Sequence, residues 1–103
     1  MRVFRNPKVM WRQETHFVEL AEQGLREGTD VEDVATAVLL KDGTMVSLNL
    51  LGMEVWKRCD GRSVEEIVQE LQGQFDVESQ MLREDVVAFL KELKALEFVS
   101  YEE

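Results

Sequence analysis

The residues that could do chemistry in this chain are few: one cysteine (Cys59), one histidine (His16), several adjacent acids and two glycines close together. A lone histidine cannot build a zinc site without other strong ligands nearby, and the chain contains no CxxC or HExxH. His16 stands in an acidic stretch and is expected on the surface. Cys59 stands in an apolar helical pattern and is expected in the core rather than as a nucleophile. A single cysteine permits no internal disulfide, which fits a reducing cytoplasm. Adjacent acids such as Glu65-Glu66 and Glu84-Asp85 are expected on solvated helix faces. A glycosidase-type pair would need a cleft that three helices and a hairpin rarely enclose. Gly24 and Gly28 lie outside any GxxxxGK or GxGxxG context, so no phosphate cradle is predicted. The reading is of a chain with no catalytic residue, no metal site and no cofactor.

What remains is binding, which depends on the elements that carry it. Residues 8–13, KVMWRQ, predict a short N-terminal strand. In 15–27, Phe17, Leu20, Ala21 and Leu25 recur at helical spacing, with Gly28 just past the end. Gly24 weakens that helix by about 1 kcal/mol relative to alanine. Residues 35–40 and 44–48 flank Lys41-Asp42-Gly43 and predict a β-hairpin, because Asp-Gly supplies the positive φ of a tight reversal. Asn49 suits a helix N-cap. The helix that follows, 50–59, carries Leu51, Val55, Trp56 and Cys59, and Asp60-Gly61 is read as its stop, with glycine at the left-handed cap. Ser63 and Glu66 form a capping box for a second helix, 64–75, with Val64, Ile67, Val68, Leu71 and Phe75 on one face. The third helix, 78–97, aligns Leu82, Val86, Phe89, Leu93 and Leu96, with Val87 and Leu90 beside them. Residues 98–101 predict a closing strand.

The order predicts an α+β, winged-helix-like fold: a small antiparallel sheet packed on a three-helix bundle, with an extra N-terminal helix between strands 1 and 2. At 103 residues the expectation is one domain, 1–103, with its core at 35–101, the strand at 8–13 and an inserted helical segment at 14–34. Apolar residues are 45% and charged residues 32%, a globular balance. No apolar run approaches a membrane span and no apolar signal segment opens the chain, so a cytoplasmic protein without membrane contact is expected. The net charge of −9 repels phosphate backbones. Charge is also uneven: residues 1–12 hold four bases and no acid, and residues 13–34 hold seven acids and one base.

From Val46 to Phe98 the sequence resembles the PqqD family. The pattern is a strand ending Leu48-Asn49, then Trp56-Lys57-Arg58-Cys59-Asp60-Gly61. Ser63-Val64-Glu65-Glu66-Ile67-Val68 and Leu71 follow, then Phe75-Asp76. It closes with Asp85-Val86-Val87-Ala88-Phe89-Leu90, Leu93 and Glu97-Phe98-Val99. Lys8 to Gln13 matches the family's first strand. Residues 14–34 depart from it, being longer and more acidic than the usual link. That long link looks like the PqqD-type member of Geobacter radical SAM/SPASM (GeoRSP) maturation systems.

The resemblance implies a peptide chaperone, or RiPP recognition element. Such a protein holds the leader of a ribosomally made precursor peptide and presents it to a radical SAM/SPASM enzyme, which does the chemistry. It further implies that the leader binds as an added strand, between the third strand and the third helix of the core. Strand addition needs an open sheet edge. The candidate edge is Thr44, Met45, Val46, Ser47 and Leu48. If Leu82, Val86, Phe89, Leu93 and Leu96 face the core, Val87 and Leu90 are surplus apolar surface rimmed by Arg83 and Lys94. That flank is the expected peptide wall, suited to an acidic residue beside an apolar one. A homodimer through the same strand edge is compatible with it.

Two other readings compete. A winged-helix DNA-binding regulator needs a basic recognition helix, but helix 64–75 carries Glu65, Glu66 and Glu70 and no base. A structural dimerisation domain is the third.

Overall fold

The computed structural model describes residues 1–75 and 77–103. Asp76, one of the residues that carry the resemblance, lies outside them. The described residues form two small antiparallel sheets and four α-helices, an α+β architecture as expected. They divide into two compact units, Pro7–Glu54 and Met1–Asn6 with Val55–Glu103.

In the first unit, β2 (Met10–Gln13), β3 (Ala37–Lys41) and β4 (Thr44–Leu48) form one sheet in that order. The β3–β4 hairpin turns on Asp42 (φ 51°) and Gly43 (φ 79°). Positive φ at both turn residues is the type I′ reversal that Asp-Gly favours. Thr36, fully buried, ties the base of the sheet together: its N–H and its Oγ1 both donate to the Leu48 carbonyl, and its own carbonyl accepts the Glu14 N–H.

Helix α1 (Thr15–Arg26) precedes β3. It buries Val18 and Ala21, whereas Phe17 and Leu20 are each 47% exposed. Of the face expected to carry Phe17, Leu20, Ala21 and Leu25, Ala21 is buried and Leu25 half-buried, and the buried side is rotated toward Val18. Just past the helix the Thr29 N–H returns to the Gly24 carbonyl at 2.8 Å, and Val31 lies against Gly24.

Helix α2 (Leu50–Lys57) starts as expected at Asn49, whose Oδ1 accepts the Gly52 N–H at 2.9 Å. Leu50, Met53, Val55 and Trp56 on it are each about 1% exposed, so it is apolar nearly all round.

In the second unit, β5 (Asp60–Ser63), β1 (Arg2–Arg5) and β6 (Val99–Glu102) form the other sheet, with β1 central. Neither β1 nor β5 was expected. Gly61 does take positive φ (108°), but inside β5 rather than as a helix stop. The β1–β5 register shifts between Arg2 and Phe4, and the Phe4 ring lies close over Gly61. Glycine serves there because a side chain would strain the backbone and crowd the ring.

Helix α3 (Val64–Gln72) opens on the expected capping box, with the Ser63 side chain accepting the Glu66 N–H and the Glu66 carboxylate accepting the Ser63 N–H. It buries Ile67, Val68 and Leu71. Helix α4 (Ser79–Ala95) stops without a glycine: Glu97 takes φ 62°, with Glu97 N–H donating to the Lys94 carbonyl and Phe98 N–H to the Leu93 carbonyl. That Schellman geometry satisfies the last carbonyls, and the Asn6 side-chain amide donates to the Glu97 carbonyl at 2.8 Å.

Candidate functional site

The two parts of the expected peptide site lie in different units, so each is built up separately. Strand β4 ends its sheet: among the described residues it pairs with β3 alone. The register aligns Lys41 with Thr44, Leu39 with Val46 and Ala37 with Leu48. In a type I′ hairpin the pair closing the turn exchanges both hydrogen bonds, and the pattern then alternates. Thr44, Val46 and Leu48 therefore direct their backbone groups into the hairpin. Met45 and Ser47 direct theirs to the open edge. The side chains divide the same way: Leu48 is buried and Val46 half-buried, while Met45 and Ser47 are exposed. All five residues expected at the edge are on one strand with an open side.

The α4 half needs a correction. Leu90 is fully buried, with Leu82, Val86 and Leu93, and is core rather than surplus surface. Leu96, expected in the core, is 41% exposed, and Phe89 is half-buried. The buried set runs i, i+4, i+8 and i+11. The expected set runs i, i+4, i+7, i+11 and i+14, a seven-residue repeat that drifts about 20° per heptad around a straight helix. By its last turn that stripe has left the core.

Val87 stays half-buried on the flank, with Arg83 and Lys94 exposed beside it. It lies in a shallow groove lined by Gln80, Arg83, Glu84, Val87, Ala88 and Lys91. Lys91, four residues from Val87, joins the same helix flank; Gln80, Ala88 and Lys91 were not anticipated, although helical spacing places them there. The Arg83 guanidinium is engaged by the Glu65 carboxylate of α3. Lys91 and Lys94 have no ion-pair partner among the described residues.

The acids of α3 are occupied rather than poised. Glu70 accepts from Arg58 and Arg62, and Arg62 also grips Asp60 with both contacts at 2.7 Å. Those carboxylates raise the Arg62 pKa further. The hydrogen bonds from Ser63 hold the Glu66 carboxyl below the usual carboxylate range.

Cys59 is fully buried and its Sγ lies 3.2 Å from the Val55 carbonyl, to which the thiol donates. Burial pushes the thiol up to about 12, with the nearby Arg5 charge opposing. A thiol so rarely ionised is inert at neutral pH. Among the described residues no group of three acids, cysteines or histidines could hold a metal ion, and no helix is long and apolar enough to cross a membrane.

Three comparisons complete the description. The family model described as Coenzyme PQQ synthesis protein D (PqqD) matches residues 36–99, more than half of the chain. Two solved structures share the fold. "TbiB1 in Complex with the TbiA(beta) Leader Peptide" is 22% identical, with a TM-score of 0.67 over 97% of this chain and 99% of that one. "Lasso peptide synthetase B1 complexed with the leader peptide" is 21% identical, with a TM-score of 0.69 over 98% and 100%. A search of the curated proteins found no match.

Proposed function

This chain belongs to the PqqD family, and we propose that it is a peptide chaperone that holds the leader of a ribosomally made precursor peptide. It binds the leader as an added strand along β4 and presents it to a radical SAM/SPASM maturase, contributing no bond chemistry of its own. The open edge of β4, with Met45 and Ser47 turning their backbone groups outward, carries the reading. Main-chain hydrogen bonds supply sequence-tolerant affinity, and adjacent side chains supply the selectivity. Both structures that share the fold are of proteins with a leader peptide bound, which supports the same class of ligand here.

The flank of α4, taken by itself, is a second candidate surface for a leader side chain. Val87 offers an apolar contact and Lys91 and Lys94 offer positive charge, while Arg83 is already engaged by Glu65 and Glu84 lines the same groove. In a chain of net charge −9 such a cationic flank favours an acidic leader residue beside an apolar one. The long acidic segment 14–34 lies outside the residues matched by the family model, and GeoRSP-type maturation is the setting proposed for it. Self-pairing of two copies through 44–48 would compete with the leader for one edge.

Amide-shift mapping with the leader of any precursor peptide gene found beside this protein's own tests the reading. Shifts at Met45, Ser47, Val87 and Lys94 are expected. Shifts confined to Asp85 and Glu92, on the opposite flank of α4, would overturn it.

A further inference from the structure

The sheet of the Pro7–Glu54 unit has one buried and one open face. Leu39 and Ala37 are fully buried and Leu48 nearly so. On the other face the register lines up Met10, Leu40 and Met45 across all three strands, at 70%, 42% and 68% exposure. The next line on that face is Arg12, Val38 and Ser47. Met10, Arg12, Val38, Leu40 and Met45 share one shallow depression with Trp11. Arg12 is its single charged residue, and Glu14 already pairs with it at 2.8 Å. Both lines end at the open edge of β4. A strand added there continues them, because successive side chains alternate between faces and directly opposed residues have Cβ atoms about 5 Å apart.

We propose that this outer face is a second specificity surface for the bound peptide, reading an apolar residue opposite Met45 and a polar residue two positions away, opposite Ser47. The inference rests on strand addition at β4 and names the peptide pattern that the edge prefers: apolar, any, polar. An apolar residue opposite Met45 extends a row of two flexible methionines and a leucine. Methionine adapts to partners of different shape, so the position selects apolar character rather than one residue type. An acid or lysine there would be set against the apolar row of Met10, Leu40 and Met45, at a loss of about two- to five-fold in affinity.

The test is selection of a phage-displayed library of random dodecapeptides on the full chain, in wild-type, Met45→Lys and Met45→Glu forms. Met45 is exposed, so either substitution leaves the core untouched. The wild type should enrich an apolar residue at one position. Met45→Lys should convert that position to Asp or Glu, Met45→Glu should convert it to Lys or Arg, and the polar position two residues away should persist. Amide shifts with a selected peptide should centre on Met45 and Ser47. Identical enrichment in all three pools, with shifts still on β4, overturns the outer-face inference and leaves strand addition standing. No enrichment, or peptides that leave the β4 amides unmoved, overturns both.

Discussion

Val31 sits directly over Gly24: a Cβ built on Gly24 would come within 2.7 Å of Val31 Cγ1. Helix propensity alone favours alanine at Gly24 by up to about 1 kcal/mol. The contact reverses the sign, because β-branched valine is stiff and overpacking costs about 1–3 kcal/mol. Gly24→Ala should lower stability by about 1 kcal/mol in urea unfolding. Gly24→Ala with Val31→Ala should recover part of the loss, giving a non-additive pair. An alanine variant more stable than the wild type would show that residues 29–34 yield freely.

Leu90 and Val87, three residues apart on α4, separate stability from binding. Leu90→Ala opens a cavity in the core and should cost about 2–5 kcal/mol. Val87→Ala should cost less than about 1 kcal/mol and instead weaken leader binding. Denaturant unfolding and calorimetric titration with the leader read the two effects, and equal losses of stability would refute the assignment of Leu90 to the core.

Ser47→Pro removes one outward N–H from β4 while leaving the β3 ladder intact, since proline is tolerated on an edge whose N–H faces solvent. Stability should change by less than about 1 kcal/mol. Leader affinity should fall about ten-fold, from the lost hydrogen bond and the bulk of the ring. Unchanged affinity would remove β4 as the receiving edge.

The capping box sets an acid limit. The folded carboxyl of Glu66 is held below its unfolded value, chiefly by the Ser63 backbone N–H. A depressed carboxyl stabilises the fold fully above its unfolded value, near pH 4.5, and the contribution disappears as pH falls through the lower folded value. At pH 7, Ser63→Ala should cost about 1 kcal/mol. Glu66→Gln, which removes the charge that the Ser63 backbone N–H stabilises, should be less stable than the wild type at pH 7, and that gap should narrow from pH 5 to pH 3 in thermal unfolding. A gap that stays constant would mean that the charge of Glu66 plays no part in the cap.

The parts of the fold legible in the sequence are those whose signals sit within a few residues. Asn49 and Ser63 announce helix starts because a side-chain oxygen meets an amide three residues on. Asp42-Gly43 announces the hairpin because its backbone must turn left-handed. The open edge at 44–48 follows from that hairpin once the other neighbour of β3 is assigned to β2. Strand β1 was not legible: Arg2–Arg5 is four residues with two apolar side chains, and its partners lie about sixty and a hundred residues away. Gly61 shows the same limit. Its positive φ was anticipated, but the sequence cannot say that the Phe4 ring would come to lie over it.

Composition, caps and turns alone determined the α+β class, the starts of α2 and α3 and the β3–β4 hairpin, because those signals act through local backbone conformation and solvation. Tertiary structure decided the β5–β1–β6 sheet, the rotation of α1 toward Val18 and the choice of Leu90 over Leu96 for the core. Each of these is a competition between faces or partners of nearly equal apolar character. Only packing against surfaces distant in sequence separates them, since burial depends on what arrives from elsewhere in the chain.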